Sequence, residues 1–373
     1  MVKLYFFILF FIISSITLSA QTNFDKGDLL VFAINSNVNF SCSSNYYNSI
    51  EFVDEIFILT LKEILPNTII YLTDNGWQRK YNNYFGTTEG VIKLTMKTGF
   101  SIDKGQVFSI KIPNSYTEVN LNSINPNWQI IKVTNGGFNV ALVDQLFIFN
   151  NGNWSMEKTE DHKGFFENSK LITAYNNKLE WDSYLDIPSI ETTNSGLPGD
   201  EIDDNITIKD FHLTIDQNSA YNYYSRSKTE ASSNEWKLRL LNPEYWSKAN
   251  NCSNFQSINN LEKLLVNDEI QEFEICKNEN IILKVDENSI VEYQWFENNL
   301  PSNENGILIN GAINSTYIPL TSIASDKYYY CELKYTLKWI SAGINKENVS
   351  VLKSILYKVK VLEEPKITSI KMN

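Results

Sequence analysis

The side chains that could do chemistry are unevenly supplied in this chain of 373 residues: 44 acids and four cysteines, but only two histidines, His162 and His212. So few imidazoles restrict histidine-based metal sites and work against a Ser-His-Asp triad. Carboxylates are the abundant resource, and three places stand out. Asp74-Asn75-Gly76-Trp77, with Tyr81 and Tyr84 close behind, sets a carboxylate among aromatic faces, which suits a sugar or peptide ligand. Large aromatics are mostly buried, so a core role for Trp77 is the plainer reading. Gly199-Asp200-Glu201-Ile202-Asp203-Asp204-Asn205 offers Asp200, Glu201, Asp203 and Asp204 as oxygen donors of the kind calcium takes. It lacks EF-hand spacing, and a solvated acidic loop is the ordinary alternative. Glu180-Trp181-Asp182 places two acids beside a ring, so Asp74, Glu180 and Asp182 are the carboxylates a polysaccharide hydrolase would use. No recognised catalytic arrangement assembles from them, and no catalytic residue is assigned. Calcium is the one cofactor left open.

The acids give a formal net charge of -12. That works against nucleic acid as a partner, because phosphate backbones are gripped by clustered Lys and Arg. At the start of the chain, Lys3, the apolar run Leu4 to Ile13 and the small residues Leu18-Ser19-Ala20 form the three parts of a secretory signal. The apolar run is shorter than the roughly 20 residues that span a bilayer. Residues 1–20 are therefore expected to be a cleaved signal peptide, with a mature chain beginning at Gln21. That chain has no membrane-spanning segment and is exported to the cell surface, the periplasm or the extracellular space. In such a compartment Cys42, Cys252, Cys276 and Cys331 favour pairing, in any of three connectivities. None has the Cys-x-x-Cys spacing of a redox or zinc motif.

The elements that must position these groups read as strands. Asp28 to Ile34, Phe52 to Thr60, Thr68 to Thr73, Gly90 to Met96 and Gln106 to Ile112 are short runs separated by turn residues. Val91 to Met96 and Val107 to Ile112 alternate with period two, which puts one face on a core. Asn75-Gly76, Asn135-Gly136-Gly137 and Asn151-Gly152 fall where reversals are needed. Glu230 to Leu241 reads as a short helix stopped by Asn242-Pro243. The fold class is all-β: two tandem β-sandwich-type domains, with a short helix near the end of the first.

Two resemblances sharpen this. Glu63-Ile64-Leu65-Pro66-Asn67-Thr68-Ile69-Ile70-Tyr71-Leu72-Thr73-Asp74-Asn75-Gly76-Trp77 resembles a secreted Bacteroidota β domain related to lamin-tail sandwiches. Thr88-Glu89-Gly90, Asp103-Lys104-Gly105-Gln106, Asp144-Gln145-Leu146-Phe147-Ile148-Phe149 and Leu241-Asn242-Pro243-Glu244-Tyr245-Trp246 follow in the family's order. Cys276, Tyr293-Gln294-Trp295-Phe296, Asn310-Gly311-Ala312-Ile313-Asn314-Ser315-Thr316-Tyr317 and Tyr328-Tyr329-Tyr330-Cys331 resemble an immunoglobulin-like domain. This second resemblance implies Trp295 as the buried tryptophan and Tyr329 as the corner tyrosine. The implied organisation is a lamin-tail-like domain over 21–254, a linker over 255–270, an immunoglobulin-like domain over 271–363 and a tail over 364–373. It pairs Cys42 with Cys252 and Cys276 with Cys331, although the interval from Cys276 to Trp295 is long for the family.

The functional expectation is a non-catalytic exported binding or adhesion protein that recognises another cell-surface protein or a glycan. Its rivals are an accessory subunit of a Bacteroidota gliding or adhesin-secretion machine, by analogy alone, and a secreted polysaccharide hydrolase. Intact-mass spectrometry of the exported protein is expected to place its first residue at Gln21; a mass retaining residues 1–20 would overturn the cleaved signal.

Overall fold

The computed structural model describes residues 21–36, 52–78, 84–113, 118–134, 136–138, 140, 144–156, 163–178, 180–181, 195–198, 208–215, 221–249, 263–341 and 343–363. Cys42, Cys252 and residues 1–20, where a signal segment is expected, lie outside them. In β6 (Val91–Met96) and β7 (Val107–Pro113) the expected alternation is present: Ile92, Leu94, Ile110 and Ile112 are buried, while Lys93, Thr95, Ser109 and Lys111 are half-exposed.

One sheet of the first module joins β7 to β1 (Leu29–Ser36), β2 (Phe52–Thr60), β15 (Tyr221–Tyr224) and β16 (Trp246–Lys248), in the antiparallel order β16-β15-β1-β2-β7. The facing sheet joins β6 to β3 (Ile69–Thr73), β8 (Trp128–Lys132), β9 (Gln145–Asn150), β12 (Lys170–Asn176) and β14 (His212–Thr214). Its order is β14-β12-β9-β3-β6-β8, and only β12 and β14 run parallel.

Strand β9 is buried along its whole length, because a further small sheet covers its outer face. That sheet is built from β4 (Trp77–Gln78), β5 (Tyr84–Phe85), β10 (Asn153–Met156) and β11 (Gly164–Glu167). Phe149 stacks on Phe166 at 3.9 Å, and Phe85 meets Phe147 and Phe149 edge-on. β9 passes into β10, from one sheet to the other, through a corner at Asn151 and Gly152, both at positive φ.

Among the described residues, two α-helices complete this module. The anticipated one, α2 (Ser233–Leu241), begins where Ser232 and Glu235 form a reciprocal capping box and ends at Asn242-Pro243. It packs Trp236 against Tyr224 of β15. A second helix, α1 (Glu118–Ile124), was not anticipated; Asn125 at its end ties it to β7 through both polar contacts with the Lys111 backbone.

The second module has β17 (Gln271–Cys276), β18 (Leu283–Lys284), β19 (Val291–Asn298), β20 (Ile307–Leu308), β21 (Thr316–Tyr317), β22 (Ser325–Ser341), β23 (Ile344–Lys353) and β24 (Tyr357–Leu362). One sheet runs β17-β24-β22-β19-β20 with β23 added to β22, and β18 pairs with β21 in the other. Trp295 is fully buried between Tyr317 and Tyr357, its indole N–H donating to Asn314 O at 2.8 Å. Tyr329 is buried beside them.

The expected Cys276–Cys331 bridge does not form, and both are free thiols. Cys331 lies opposite Trp295 in the ladder, but Cys276 ends a strand that precedes the one facing it. Cys276 pairs with Leu362, next to the start of β22 at Ser325. At about 3.3 Å per residue, Cys331 is roughly 20 Å farther along the sheet. The buried Leu283 and Val285 occupy the strand expected to carry the first cysteine, which explains the long interval to Trp295.

The described part of the expected linker is not free. Of the expected linker, residues 263–270 are described, and they dock on the first module: Lys263 bridges Gln106, Val266 bridges Ala231, and Leu264 N donates to Gly105 O at 2.8 Å. From the other side, β22 and β23 form a long hairpin that reaches the first module. Its tip pairs in parallel with β13 (Glu180–Trp181), and Trp339 meets the ring of the buried His212 edge-on at 5.0 Å. Tyr335, Asn348 and Ser350 all donate to Asp210. Arg239 of α2 pairs with Asp286, while Asn288 Nδ2 donates to Leu238 O at 3.0 Å. Burying Tyr335, Leu337 and Trp339 contributes on the order of 1.5–3 kcal/mol each. The buried side chains of both modules form one continuous cluster.

Burial pushes the Cys331 thiol up to about 12, whereas Cys276 is exposed. In native protein, thiol-reactive reagents are therefore expected to label Cys276 and to reach Cys331 only after unfolding. A peptide map joining the two would overturn this arrangement.

Candidate functional site

The strand ends of the first module make one strongly polar pole, where Ser36, Asp54, Thr73, Asp74, Asn75, Asp144, Gln145, Asn176, Asn177 and Asn222 are all buried. Buried polar groups must be paired, so the pole is a network. Beyond β3, Thr73 Oγ1 donates to Gly90 O at 2.9 Å and accepts from Asn75 N at 3.1 Å. Asn75 Oδ1 accepts from Glu89 N at 3.1 Å, and Asp74 Oδ1 accepts from Gly90 N at 2.8 Å. The Gln145 amide donates to Asp74 O. At Gly90 a Cβ would fall 2.4 Å from that of Phe138, so only glycine lets the strand enter here.

This network brings together Asp74, Glu89 and Asp144, each offering one oxygen, with all three oxygens within 4.8 Å of one another. Asp74 and Asp144 are buried and Glu89 is half-buried. Asp144 Oδ1 also accepts from Gln145 N at 2.9 Å. Such a hard-oxygen set can hold a divalent cation of the calcium type, which would tie the entry of β6, the exit of β3 and the entry of β9. The arrangement suits bracing rather than turnover, because Asp74 is fully buried and a glycosidase carboxylate must reach a sugar.

The other nominated residues fall elsewhere. Trp77 and Tyr84 are interior side chains, not an exposed platform: Trp77 packs edge-on to Phe85 at 4.8 Å, and its backbone N–H donates to Ser195 Oγ at 2.8 Å. Glu180 is engaged at the junction, where its Oε1 accepts from Gly343 N at 2.7 Å. Trp181 is buried, with its indole N–H donating to Thr214 Oγ1. Tyr81, Asp182, Asp200, Glu201, Asp203 and Asp204 lie outside the described residues. Glu89 and Asp144 were not picked as ligands from sequence, although both stand in the landmark runs Thr88-Glu89-Gly90 and Asp144-Gln145.

Asp54 lies fully buried at the same pole. Its Oδ2 accepts from Val140 N at 3.0 Å, while among the described residues its buried Oδ1 has no hydrogen-bond partner. Burial pushes its carboxyl up to about 8. Nearby, Asn222 Nδ2 links across the sandwich to Asn177 Oδ1 at 2.9 Å and to the Tyr175 hydroxyl at 3.2 Å.

The chain matches no protein-family model and no curated protein.

The Asp54 shift has a defined sign. The folded value near 8 lies above the unfolded value of about 3.9, so the folded state binds this proton more tightly. Its contribution is full below pH ~4 and is lost as the pH rises through ~8. Asp54→Asn is expected to remove that slope. In thermal melts between pH 5 and 8, the wild-type midpoint should fall a few °C more than that of the variant; parallel curves would refute it.

Proposed function

We propose that this chain is an exported, non-catalytic recognition protein whose first module is a rigid base and whose second module presents the binding surface. The observation that carries this reading is where apolar surface is left in water. Twelve of the sixteen large apolar side chains exposed among the described residues lie from Ile270 onward, although that part of the chain is the smaller. Ile282 and Ile318 extend the β18–β21 register as a cross-strand pair on its outer face, with Leu320 beyond; each is more than half exposed. Apolar patches of this kind mark interaction surfaces, and they favour another protein over a polar ligand.

The rigid base follows from the junction. Module contacts run through α2, residues 263–270 and the β22–β23 hairpin, so the second module is held in one orientation. An orientation held in this way limits the entropy cost of binding. Surface display and a protein or glycan partner belong to this proposal, as does the absence of turnover.

Mature protein immobilised on a sensor should bind a component of cell-surface extracts. The variant carrying Ile282→Lys, Ile318→Lys and Leu320→Lys is expected to bind at least tenfold more weakly with unchanged folding, as for truncated hot-spot residues. Equal binding by the variant, or a response confined to glycan arrays, would sink the protein-partner reading.

A further inference from the structure

The β22–β23 hairpin leaves one long backbone edge. Among the described residues β23 pairs only with β22, through ten consecutive residue pairs from Glu332↔Lys353 to Ser341↔Ile344 with no shift of register. Ser354 N donates to Cys331 O at 2.9 Å, which sets the phase of this ladder. Alternate residues of an antiparallel pair exchange hydrogen bonds, so Lys346, Asn348, Ser350 and Leu352 turn their backbone groups toward β22. Asn345, Glu347, Val349 and Val351 turn theirs outward. Lys353 O follows the same phase and accepts Asn234 Nδ2 of the first module at 2.8 Å.

Side chains obey the same division. Val349 and Val351 are exposed by 48% and 49% on the outer face, while Asn348 and Ser350 face the first module and donate to Asp210. Proteins usually blunt such edges with proline, a bulge or outward lysine. Residues 345–351 contain no proline and no bulge, and their one lysine, Lys346, lies opposite the buried Trp339 on the inner face. The other side of the hairpin tip has already taken an added strand, β13.

We propose that the outer edge of β23 is a docking site for an extended peptide that joins the sheet as its next strand. Apolar side chains at alternate positions of the peptide would cover Val349 and Val351. A shallow groove of about 530 Å³ adjoins this edge, shared by Val351, Ile313, Tyr293 and the Glu292–Lys334 pair. Charges on the outer face cancel in pairs, Glu292 with Lys334 and Glu347 opposite Lys338, so apolar spacing rather than net charge selects the peptide. The first module holds the inner face beside this edge through Asp210. A single strand needs only about 4.8 Å of lateral room, whereas a second copy paired here would bring its own first module to the same face. The inference rests on the recognition reading and names its ligand class.

The test uses the mature chain and a fluorescein-labelled octapeptide, Lys-Thr-Val-Thr-Val-Thr-Val-Lys, whose β-branched residues favour an extended strand. Val349→Pro removes an outward N–H without breaking the β22 ladder. The double variant Val349→Lys, Val351→Lys leaves the backbone intact and carries the test if the proline variant fails to fold. Saturable binding to the wild type is expected, weakened at least tenfold by either variant. Amide exchange should slow at Glu347, Val349 and Val351 and not at Asn348 or Ser350. No saturable binding, or binding indifferent to both variants, overturns the proposal. A wild-type dimer abolished by Val349→Pro would assign the edge to a second copy and overturn it too. Surface-component binding that survives both edge variants would refute this site and leave the proposed function standing.

Discussion

The seating of Trp339 against His212 is the contact on which the shape of the whole chain turns. The second sandwich buries Trp295, Tyr329 and Tyr357 in its own core. Here β22 runs on for 17 residues, well past the end of that core, and the extension buries its apolar face in the preceding module. The inner-face residues Leu333, Tyr335, Leu337 and Trp339 carry the buried cluster across the junction without a break. Polar groups fix the angle at which it crosses: Asp210 gathers three donors from the hairpin, and α2 holds Asp286 and Asn288 from the opposite side. Apolar area supplies most of the stabilisation, and directional hydrogen bonds choose one geometry among the many that area alone would allow.

The polar pole of the first module shows the same division of labour within one sandwich. Away from that pole the facing sheets are held by alternating apolar residues and by the aromatic layer around Phe85, Phe149 and Phe166. At the strand exits the backbone must turn, and side-chain amides and hydroxyls take over pairing the main chain. Asn75, Asn125 and Gln145 each satisfy backbone groups of other segments. A consequence is that carboxylates can be buried there, as Asp74 and Asp144 are, because neighbouring N–H groups already point at them.

Much of this architecture was legible from residues, and the reasons for the failures are physical. Period-two alternation located β6 and β7, and Ser232 with Glu235 and Asn242-Pro243 fixed both ends of α2, since those signals act within a few residues. Trp295 and Tyr329 of the second module are buried, as large aromatics in alternating strands usually are. The first cysteine was misplaced because a Cys one strand too early looks identical in sequence, and only the pairing of β17 with β24 reveals which strand it occupies. Helix α1 carries no hydrophobic period long enough to declare itself. The carboxylate trio was invisible because Asp74, Glu89 and Asp144 meet through sheet order rather than through proximity along the chain. Exposure is likewise a tertiary property, so sequence could favour a core role for Trp77 without excluding a ligand platform, and the structure buries it.

The parallel pairing of β17 with β24 has a mechanical consequence. β17 enters from residues docked on the first module, and β24 runs beside it in the same direction over six paired residues, from Gln271↔Tyr357 to Cys276↔Leu362. A pull on the chain beyond Leu362, resisted at the first module, drags these two strands lengthwise past each other. Their rungs are then strained together in shear rather than opened one after another as in a zipper, and the module resists tension best along the line that joins its base to its far end.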